Sequence, residues 1–362
     1  MTKTFYDTAM IVGARPNFVK VAPLLSHYES NNHNVLFIHT GQHWDKNMSD
    51  DIFTDIGLRQ PDINLNIKSD SMNRQLGEVI IELDKYINAK NTGNLFIFGD
   101  VTSTLAGAVV AKNNNIDAYH VEAGLRSGNF SMPEERNRIM VDSICDRLFT
   151  PSKDAVNNLL AENISPNKIS NVGNIMIDTL VKNYEKIISN QSFNPLDFNI
   201  EKDFFVLTIH RQANLSDKNL KIIFEGLKNF VKDYDIVIPA HPRLKKYIES
   251  NKISTDGLKI INPLPYVKFL SLVYNSSLCL TDSGGLQEET TYLNKKCLTL
   301  REETERPITV ESGTNKVIGV NKNIIDEINN SLNTKLQSYS KIELWDGKTS
   351  ERIYQELNIE QI

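Results

Sequence analysis

The sequence has little cysteine, no excess of positive charge and no long apolar run, and each absence excludes a class of protein. The three cysteines, Cys145, Cys279 and Cys297, are scattered through apolar sequence, which indicates reduced core thiols and not a disulfide framework. A formal net charge of -5 argues against general binding to nucleic acid or to an anionic membrane. The apolar runs are strand-sized and interrupted by charge, unlike a membrane-spanning helix.

Motifs for metals and for common cofactors are also missing. The sequence contains no HExxH and no paired-cysteine spacing, and neither GxxxxGK[ST] nor GxGxxG occurs. We therefore expect no metal site and no nicotinamide cofactor. The opening residues, MTKTFYDTAM, lack the apolar stretch of a secretory signal, so a cytoplasmic protein is expected.

What the sequence does contain is an alternation of strand-like and helix-like segments. Its 362 residues, of which 40% are hydrophobic and 23% charged, are enough for a globular protein of roughly two domains. TAMIV, NVLFIHTG and NLFIFGD alternate with amphipathic stretches, and FFVLTIH, DIVIPAH and SLCLTD repeat the pattern later. This predicts an α/β fold with two Rossmann-like domains facing a cleft. We place the domains at 1–173 and 174–344, with a linker near 173–200.

Two segments correspond closely between the halves, FIFGDVTSTLAG with YHVEAG and LCLTDSGGLQEE with LTLREE. Each is a strand ending in Asp, a turn of small residues, a helix and a second strand with an acidic loop. Ligands of such folds lie at the carboxyl ends of the strands, so these loops are the candidate site.

The TDSGGLQEE segment has the pattern of an anion site. Ser283, Gly284 and Gly285 lie between a strand and a helix, where unpaired backbone N–H groups and the helix dipole favour a pyrophosphate. Glu289, one turn later, is placed to accept hydrogen bonds from the vicinal hydroxyls of a ribose. The alternative is a tight glycine turn followed by a surface acid.

Two arginine-containing loops are weaker candidates for anion contacts. In REETERP, Arg301 and Arg306 flank three acids, which suits either bidentate phosphate recognition or a solvated salt-bridge cluster. In GARPNFVK, Arg15 and Lys20 follow the first strand and are placed to meet an anion, although this signal alone is weak.

Acids in the first half suggest proton transfer. Asp100 and Glu122 end two strands, and Glu134 and Glu135 follow in MPEERNR. Carboxylates close together separate in pKa, so that one holds a proton while another accepts one. The alternative for the last two is an ordinary helix start, paired with Arg136 and Arg138.

His210 and His241 each end a buried strand of the second half, in VLTIHRQAN and IVIPAHPR. A single histidine in such a position is more often structural. Because the two stand at corresponding strand ends, a ligand contact and a structural role both stay open.

Together these loops are similar to those of a known family. GARPNFVKVAPL, TGQH, FGDVTSTLAGA, HVEAGLRSGNFSMPEERNR, VGNIMIDTL, the HR of TIHRQAN, LTDSGGLQEE and TERPITVESGTNKVIG occur in the family's order. Over most of its length the chain resembles the non-hydrolysing UDP-N-acetylglucosamine 2-epimerases. The resemblance implies the glycosyltransferase-B fold, with the catalytic acids in the first domain, UDP bound by the second, and a C-terminal helix at 345–362 that returns to the first.

The resemblance also implies a reaction that needs no cofactor. The C2 proton is removed while UDP leaves C1 by anti elimination, and UDP adds back to the glycal after protonation of the opposite face. The product would be a precursor of bacterial surface polysaccharide. The family forms homodimers, so a homodimer is expected.

Roles for individual residues follow from the same resemblance. Those matched to catalytic positions are Asp100, Glu122, Glu134 and His210, with neither face of C2 assigned to a particular carboxylate. Those matched to nucleotide, diphosphate or sugar contacts are Arg15, Lys20, Arg138, His241, Phe269, Ser283, Gly284, Gly285, Glu289 and Arg306, with Phe269 on the uracil.

The sequence departs from the usual family pattern in three places. GARPN replaces GTRPE, Ala213 stands where a Glu is usual, and WDKNMSD after TGQH lacks the Gln/Met pattern of members that UDP-GlcNAc activates. We therefore predict no such allosteric activation. GARP-type openings also occur in relatives acting on a UDP-diacetamido uronic acid, which stays an alternative substrate.

Three other functions are weighed against the epimerase. A hydrolysing epimerase would release free ManNAc and UDP, but its relatives usually open differently. A glycosyltransferase of the same fold would keep the SGGLQEE pocket without needing the acid set. A nucleotide-sugar sensor would have no use for the acids.

Overall fold

The computed structural model describes residues 5–41, 52–69, 71–189, 193–336 and 341–359. The chain divides into two compact units, Met1–Lys182 with Glu343–Ile362, and Asn183–Ile342. In the described residues each unit contains its own parallel sheet. The predicted fold class, α/β with two Rossmann-like domains, is confirmed.

The described residues of the first unit form a 7-stranded parallel sheet. Its strands are β1 (Tyr6–Val12), β2 (Val35–His39), β3 (Ile63–Asn64), β4 (Thr92–Phe98), β5 (Asp117–Val121), β6 (Arg147–Thr150) and β7 (Ile169–Asn171), in the order β3-β2-β1-β4-β5-β6-β7. Its helices include α1 (Arg15–Ser30), α2 (Met72–Asp84), α3 (Thr102–Asn113), α4 (Pro133–Ile144), α5 (Lys153–Ala161) and α6 (Ile175–Lys182).

Residues 183–342 form the second unit, whose described part has a 6-stranded parallel sheet. Its strands are β8 (Phe204–Thr208), β9 (Asp235–Pro239), β10 (Leu258–Ile261), β11 (Leu278–Thr281), β12 (Cys297–Thr299) and β13 (Asn315–Val317), in the order β10-β9-β8-β11-β12-β13. Its helices are α7 (Tyr184–Ile188), α8 (Asp217–Lys228), α9 (Pro242–Ser250), α10 (Tyr266–Asn275), α11 (Gly284–Tyr292), α12 (Pro307–Glu311) and α13 (Ile324–Asn333).

The strands read as continuous apolar runs because successive residues are buried on both faces of each sheet. In β1, Ala9, Met10 and Ile11 are consecutive and almost wholly buried. Each unit has its own hydrophobic cluster, which includes Ile97 in the first and Leu280 in the second. No helix in the described ranges has both the length and the apolar character needed to cross a membrane.

The end of the first unit differs from the predicted domain boundary. Helix α6 lies in this unit, so the division falls between Lys182 and Asn183 and not between 173 and 174. The Thr179 hydroxyl donates to the Val19 carbonyl of α1 at 2.7 Å. The apolar face of α6 is thus buried against the first unit. The predicted boundary was placed from the polar segments of the sequence, which do not show where a helix packs. Residues 190–192 of the predicted linker lie outside the described residues.

A C-terminal helix, α14 (Thr349–Ile359), belongs to the first unit. The buried carboxylate of Asp178 accepts hydrogen bonds from the Thr349 N–H at 3.0 Å and from the Ser350 N–H at 2.7 Å. The Ser350 hydroxyl donates to the same carboxylate at 2.8 Å. Asp178 therefore caps the N-terminus of α14 and anchors it to α6.

Neighbouring strands bring the candidate loops together at the carboxyl edge of each sheet. Phe98 of β4 is paired with Val121 of β5, so Asp100 and Glu122 emerge side by side. In the second unit Thr208 of β8 is paired with Thr281 of β11, so the loop that follows β11 lies beside the loop that contains His210.

We predict that Asp178→Ala destabilises the protein by about 1–3 kcal/mol, because three donors at the start of α14 lose their buried acceptor. Urea unfolding would measure this change, and limited proteolysis would show earlier cleavage near α14. The matched control is Glu351→Ala, which removes an exposed acid from the same helix and should change stability by less than about 0.5 kcal/mol. Equal stability of the two variants would contradict the anchoring role.

Candidate active site

The first unit buries an ion pair between Lys20 and Glu122, both 5% exposed. Lys20 comes from α1 and Glu122 from the loop that follows β5. A β-carbon added at Gly99 would lie 2.9 Å from the Lys20 Nζ and 3.3 Å from the Glu122 Oε2. Glycine at position 99 therefore leaves the space that the pair occupies.

Glu122 has a left-handed backbone, with a φ of 75°. This conformation is uncommon outside glycine and costs about 1–3 kcal/mol. Its N–H donates to the Phe149 carbonyl of β6 at 3.0 Å, which holds the turn in place. The Glu122 carboxylate is thus fixed by its backbone as well as by Lys20.

Asp100 is held by a second cation. Its carboxylate pairs with Arg138 of α4, which is 1% exposed. Arg138 also pairs with Glu135 at 2.5 Å, and Glu135 accepts the backbone N–H groups of Ser127 and Gly128 at 2.8–3.0 Å. Burial alone would raise the pKa of Glu135, but these bonds lower it below its ordinary value.

The two acids at the start of α4 have different surroundings. Glu135 is buried and pairs with Arg138, so the helix-start interpretation is correct for this residue. Glu134 is half-buried, and its side chain makes no hydrogen bond or ion pair within the described ranges. Arg136 points away, to the carbonyl oxygen of Phe130 at 2.7 Å.

A buried His120–Asp142 pair, which sequence reasoning missed, links the loops that carry the acids. The His120 Nδ1 lies 2.6 Å from the Asp142 carboxylate, and its Nε2 lies 2.8 Å from the Gly99 carbonyl. Asp142 also accepts from the Gly124 N–H at 3.1 Å and pairs with Arg126 at 2.8 Å. The pair thereby connects the β4 and β5 loops. HVEAG contains His120 beside Glu122, which was the only sequence signal.

The second unit has a helix N-terminus surrounded by buried charge. Ser283 is the N-cap of α11, and its hydroxyl accepts the Leu286 N–H at 3.4 Å. A β-carbon added at Gly284 would lie 2.7 Å from the Glu305 Oε1 and would also contact the Arg306 guanidinium. Glycine at this position lets the Arg306–Glu305 pair lie against the open backbone N–H groups of the helix.

Glu305 is the centre of this charged cluster. It pairs with Arg306, with Arg301 at 2.5 Å and with Arg211 at 3.7 Å, and it is 2% exposed. Arg306 pairs in addition with Glu288 at 3.0 Å. Burial would raise the pKa of Glu305, but Arg306 and Arg301 hold it well below its ordinary value. The alternative of a solvated salt-bridge cluster is wrong, because both arginines are buried.

Glu289 is buried and does not lie on the surface, so the surface-acid alternative is wrong. Burial raises the pKa of Glu289 to about 8. This value already includes the lowering effect of the nearby Tyr266 hydroxyl and the smaller raising effect of the Glu288 carboxylate. In the absence of ligand, Glu289 is therefore mainly protonated at neutral pH.

His210 forms a second His–Asp pair. Its Nδ1 lies 2.8 Å from a carboxylate oxygen of Asp282, which is wholly buried at the end of β11. Sequence reasoning did not select Asp282, although it corresponds to Asp100: each aspartate ends an apolar strand, in LCLTD and in FIFGD. The correspondence between the two halves was the available signal.

The other predicted contact residues lie at element ends or on a helix. His241 is the exposed N-cap of α9, and its Nδ1 accepts the Arg243 N–H at 3.2 Å, so a structural role is present. Phe269 is half-buried on α10, Arg15 is half-buried at the first position of α1, and Gly285 is the second residue of α11. Gln42, His43 and the WDKNMSD segment lie outside the described residues.

The two units carry opposite arrangements of charge at their strand ends. In the first unit, carboxylates at the ends of β4 and β5 each touch a cation, an arrangement suited to holding and accepting protons. In the second unit, arginines and a helix N-terminus surround a buried carboxylate, an arrangement suited to a diphosphate.

Comparison with known proteins gives consistent matches. A profile of the family described as UDP-N-acetylglucosamine 2-epimerase matches residues 27–358. The chain is 40% identical to a UDP-N-acetylglucosamine 2-epimerase of Methanocaldococcus jannaschii, over 95% of this chain and 97% of that protein. A crystal structure of the UDP-GlcNAc 2-epimerase of that organism, in complex with UDP-GlcNAc and UDP, matches with a TM-score of 0.90 at 39% identity, over 98% of this chain and 99% of that one.

A relative with another substrate also matches. The chain is 33% identical to a UDP-2,3-diacetamido-2,3-dideoxy-D-glucuronate 2-epimerase of Pseudomonas aeruginosa, over 95% of this chain and 97% of that protein.

We predict that Glu289 makes the unliganded protein less stable at alkaline pH. Its folded pKa of about 8 lies above its ordinary value of 4.5, so its contribution to stability is complete below about pH 4.5 and is lost as pH rises through 8. Glu289→Gln should flatten this decline in melting temperature between pH 6 and 9, as measured by calorimetry. Glu225→Gln, at an exposed position of the same unit, should keep the wild-type profile. Parallel profiles for wild type and Glu289→Gln would contradict the buried acid's role.

Proposed function

The chain belongs to the UDP-N-acetylglucosamine 2-epimerase family, and we propose that it interconverts UDP-GlcNAc and UDP-ManNAc without a cofactor. A carboxylate takes the C2 proton, and the electron pair of the C2–H bond forms a C1=C2 double bond. The C1–O bond breaks, and its electrons leave with UDP. Return of a proton to the opposite face of C2 and re-addition of UDP at C1 give the epimer.

The observation that carries this proposal is the pair of acids at adjacent strand ends of the first unit. Asp100 and Glu122 follow hydrogen-bonded strands, and each touches one buried cation, Arg138 or Lys20. Glu134 is the third candidate for proton transfer. It is half-buried, it follows Glu122 in the sequence, and it pairs with no cation within the described ranges.

Departure of UDP needs stabilisation of its developing charge. In the second unit, the N-terminus of α11 at Ser283 and Gly284 and the Arg306 guanidinium provide it, because preorganised donors stabilise an anion without reorganising. We propose that Gly285 adds a backbone donor, that Glu289 contacts the ribose, and that Phe269 packs on the uracil. Arg15 and His241 are proposed as further substrate contacts.

A UDP-diacetamido uronic acid is the second candidate substrate, favoured by the Pseudomonas aeruginosa relative. A glycosyltransferase reaction is less compatible with this chain, because it has no need for paired acids in the first unit. We further propose that the protein acts as a homodimer in the cytoplasm and supplies precursors of surface polysaccharide. Its cysteines Cys145, Cys279 and Cys297 are free and buried, which supports a reducing compartment.

We predict that purified protein with UDP-GlcNAc in D2O, with nothing else added, produces the manno-configured UDP-sugar with deuterium at C2. Proton NMR would follow the loss of the C2 signal and the new anomeric signal. Free ManNAc with an equal amount of UDP from the start would show a hydrolysing enzyme. An unchanged spectrum would contradict UDP-GlcNAc as the substrate, and the UDP-diacetamido uronic acid would be tried next.

Two variants should separate proton transfer from UDP binding. Asp100→Asn preserves shape but removes the proton acceptor, so C2 exchange should fall by about 10²–10⁴-fold while UDP binding by calorimetry stays the same. Gly284→Ala should instead abolish UDP binding, because the added β-carbon meets Glu305 and Arg306.

The control for the glycine variant is Gly77→Ala on α2, where an added β-carbon meets nothing within 4 Å. It should bind UDP and exchange C2 hydrogen as the wild type does. Wild-type exchange in Asp100→Asn would exclude Asp100 from the reaction.

A further inference from the structure

We infer that Asp282 is a positioning residue for His210, which fixes the hydrogen of the imidazole on Nδ1 and presents Nε2 to the substrate. This inference rests on the proposed function, to which we add that His210, matched to a catalytic position by the family resemblance, touches the UDP-sugar. Asp282 itself is wholly buried, so it would act through His210 and not on the substrate directly.

The geometry gives the imidazole one defined edge. The His210 Nδ1 lies 2.8 Å from the Asp282 Oδ1, and the His210 N–H donates to the same carboxylate at 3.1 Å. The aspartate is 0% exposed, whereas the histidine side chain is 47% exposed. One edge of the ring is therefore held by the protein, and the opposite edge, with Nε2, is available to a ligand.

The Asp282 carboxylate can only accept hydrogen bonds in this position. Besides His210 it receives the Arg211 N–H at 3.0 Å and the Asn214 Nδ2 at 3.1 Å. Burial alone would raise the pKa of Asp282, but His210 and the Arg211 N–H lower it, so the carboxylate is ionised at neutral pH. An ionised carboxylate has no hydrogen to give, and the Nδ1 of His210 must supply it.

The hydrogen bond from Nδ1 to Asp282 determines what Nε2 of His210 can do. With the hydrogen fixed on Nδ1, Nε2 is an acceptor in the neutral ring and a donor in the imidazolium. In the neutral ring, Nε2 can then accept a proton or a hydrogen bond from the bound substrate, and hydrogen on Nε2 would abolish this capacity.

A purely structural role would use the same carboxylate differently. Asp282 also ties the Arg211–Asn214 turn to β11, and loss of these bonds would disturb the loop whatever the histidine does. Asn214 separates the two roles, because it donates to Asp282 and to the Leu300 carbonyl without contacting the ring in any described bond.

The first test compares Asp282→Asn with Asn214→Ala in the full-length protein. An amide behind the ring favours the wrong tautomer, so Asp282→Asn should lower kcat for C2 exchange by about 10²–10⁴-fold and leave UDP affinity unchanged. Asn214→Ala should keep kcat near the wild-type value, although it lowers the melting temperature. Equal losses of kcat in both variants would overturn the positioning role.

A double-mutant cycle makes the test specific to the histidine. If Asp282 acts through His210, adding Asp282→Asn to His210→Gln should cause no further loss of kcat. A loss as large as that seen in the wild-type background would show that Asp282 acts elsewhere.

The tautomer can be observed without turnover. In protein labelled with 15N-histidine, the His210 signals, assigned by their absence from His210→Gln, should show hydrogen on Nδ1 in the neutral ring. Hydrogen on Nε2 would overturn the inference even in an active enzyme. Hydrogen on Nδ1 in a protein that exchanges no C2 hydrogen would support the pairing while the proposed function itself fails.

Discussion

The need to pair every buried charge shapes both halves of this protein. Parallel sheets covered on both faces leave polar groups only at the ends of their strands, and charged side chains placed there lose much of their contact with water. An unpaired charge in such a position is unfavourable by several kcal/mol, so each one recruits an opposite charge or a set of hydrogen-bond donors. Lys20 with Glu122, and Arg306 with Glu305, are the clearest cases.

The same constraint yields opposite chemistry in the two units. In the first, cations from α1 and α4 hold the carboxylates that follow β4 and β5, which are the groups proposed to transfer protons. In the second, Glu305 pairs with Arg211, Arg301 and Arg306, and Arg306 is the group proposed to contact an anion. Glycines at positions 99 and 284 leave room for these pairs, which links a backbone feature to the electrostatics of each site.

Much of the architecture was predictable from local pattern. Apolar runs separated by amphipathic segments indicated two parallel-sheet domains, and the loop motifs led to the epimerase family. The prediction of the domain boundary was less accurate, because the burial of α6 against α1 depends on a contact between residues distant in sequence. The roles of the individual site residues stay proposals, although the structure removes some alternatives. Glu289 is buried, and Glu135, not Glu134, pairs with Arg138.

The sequence by itself determined the fold class, the family and the loops that hold the candidate site residues, because hydrophobic period and motif order are local properties of the chain. Only the tertiary structure decided which charges pair, since Lys20 and Glu122, or His210 and Asp282, are far apart in sequence and meet through strand order. The left-handed turn at Glu122 and the raised pKa of Glu289 were likewise decided there, because both depend on packing and exclusion of water.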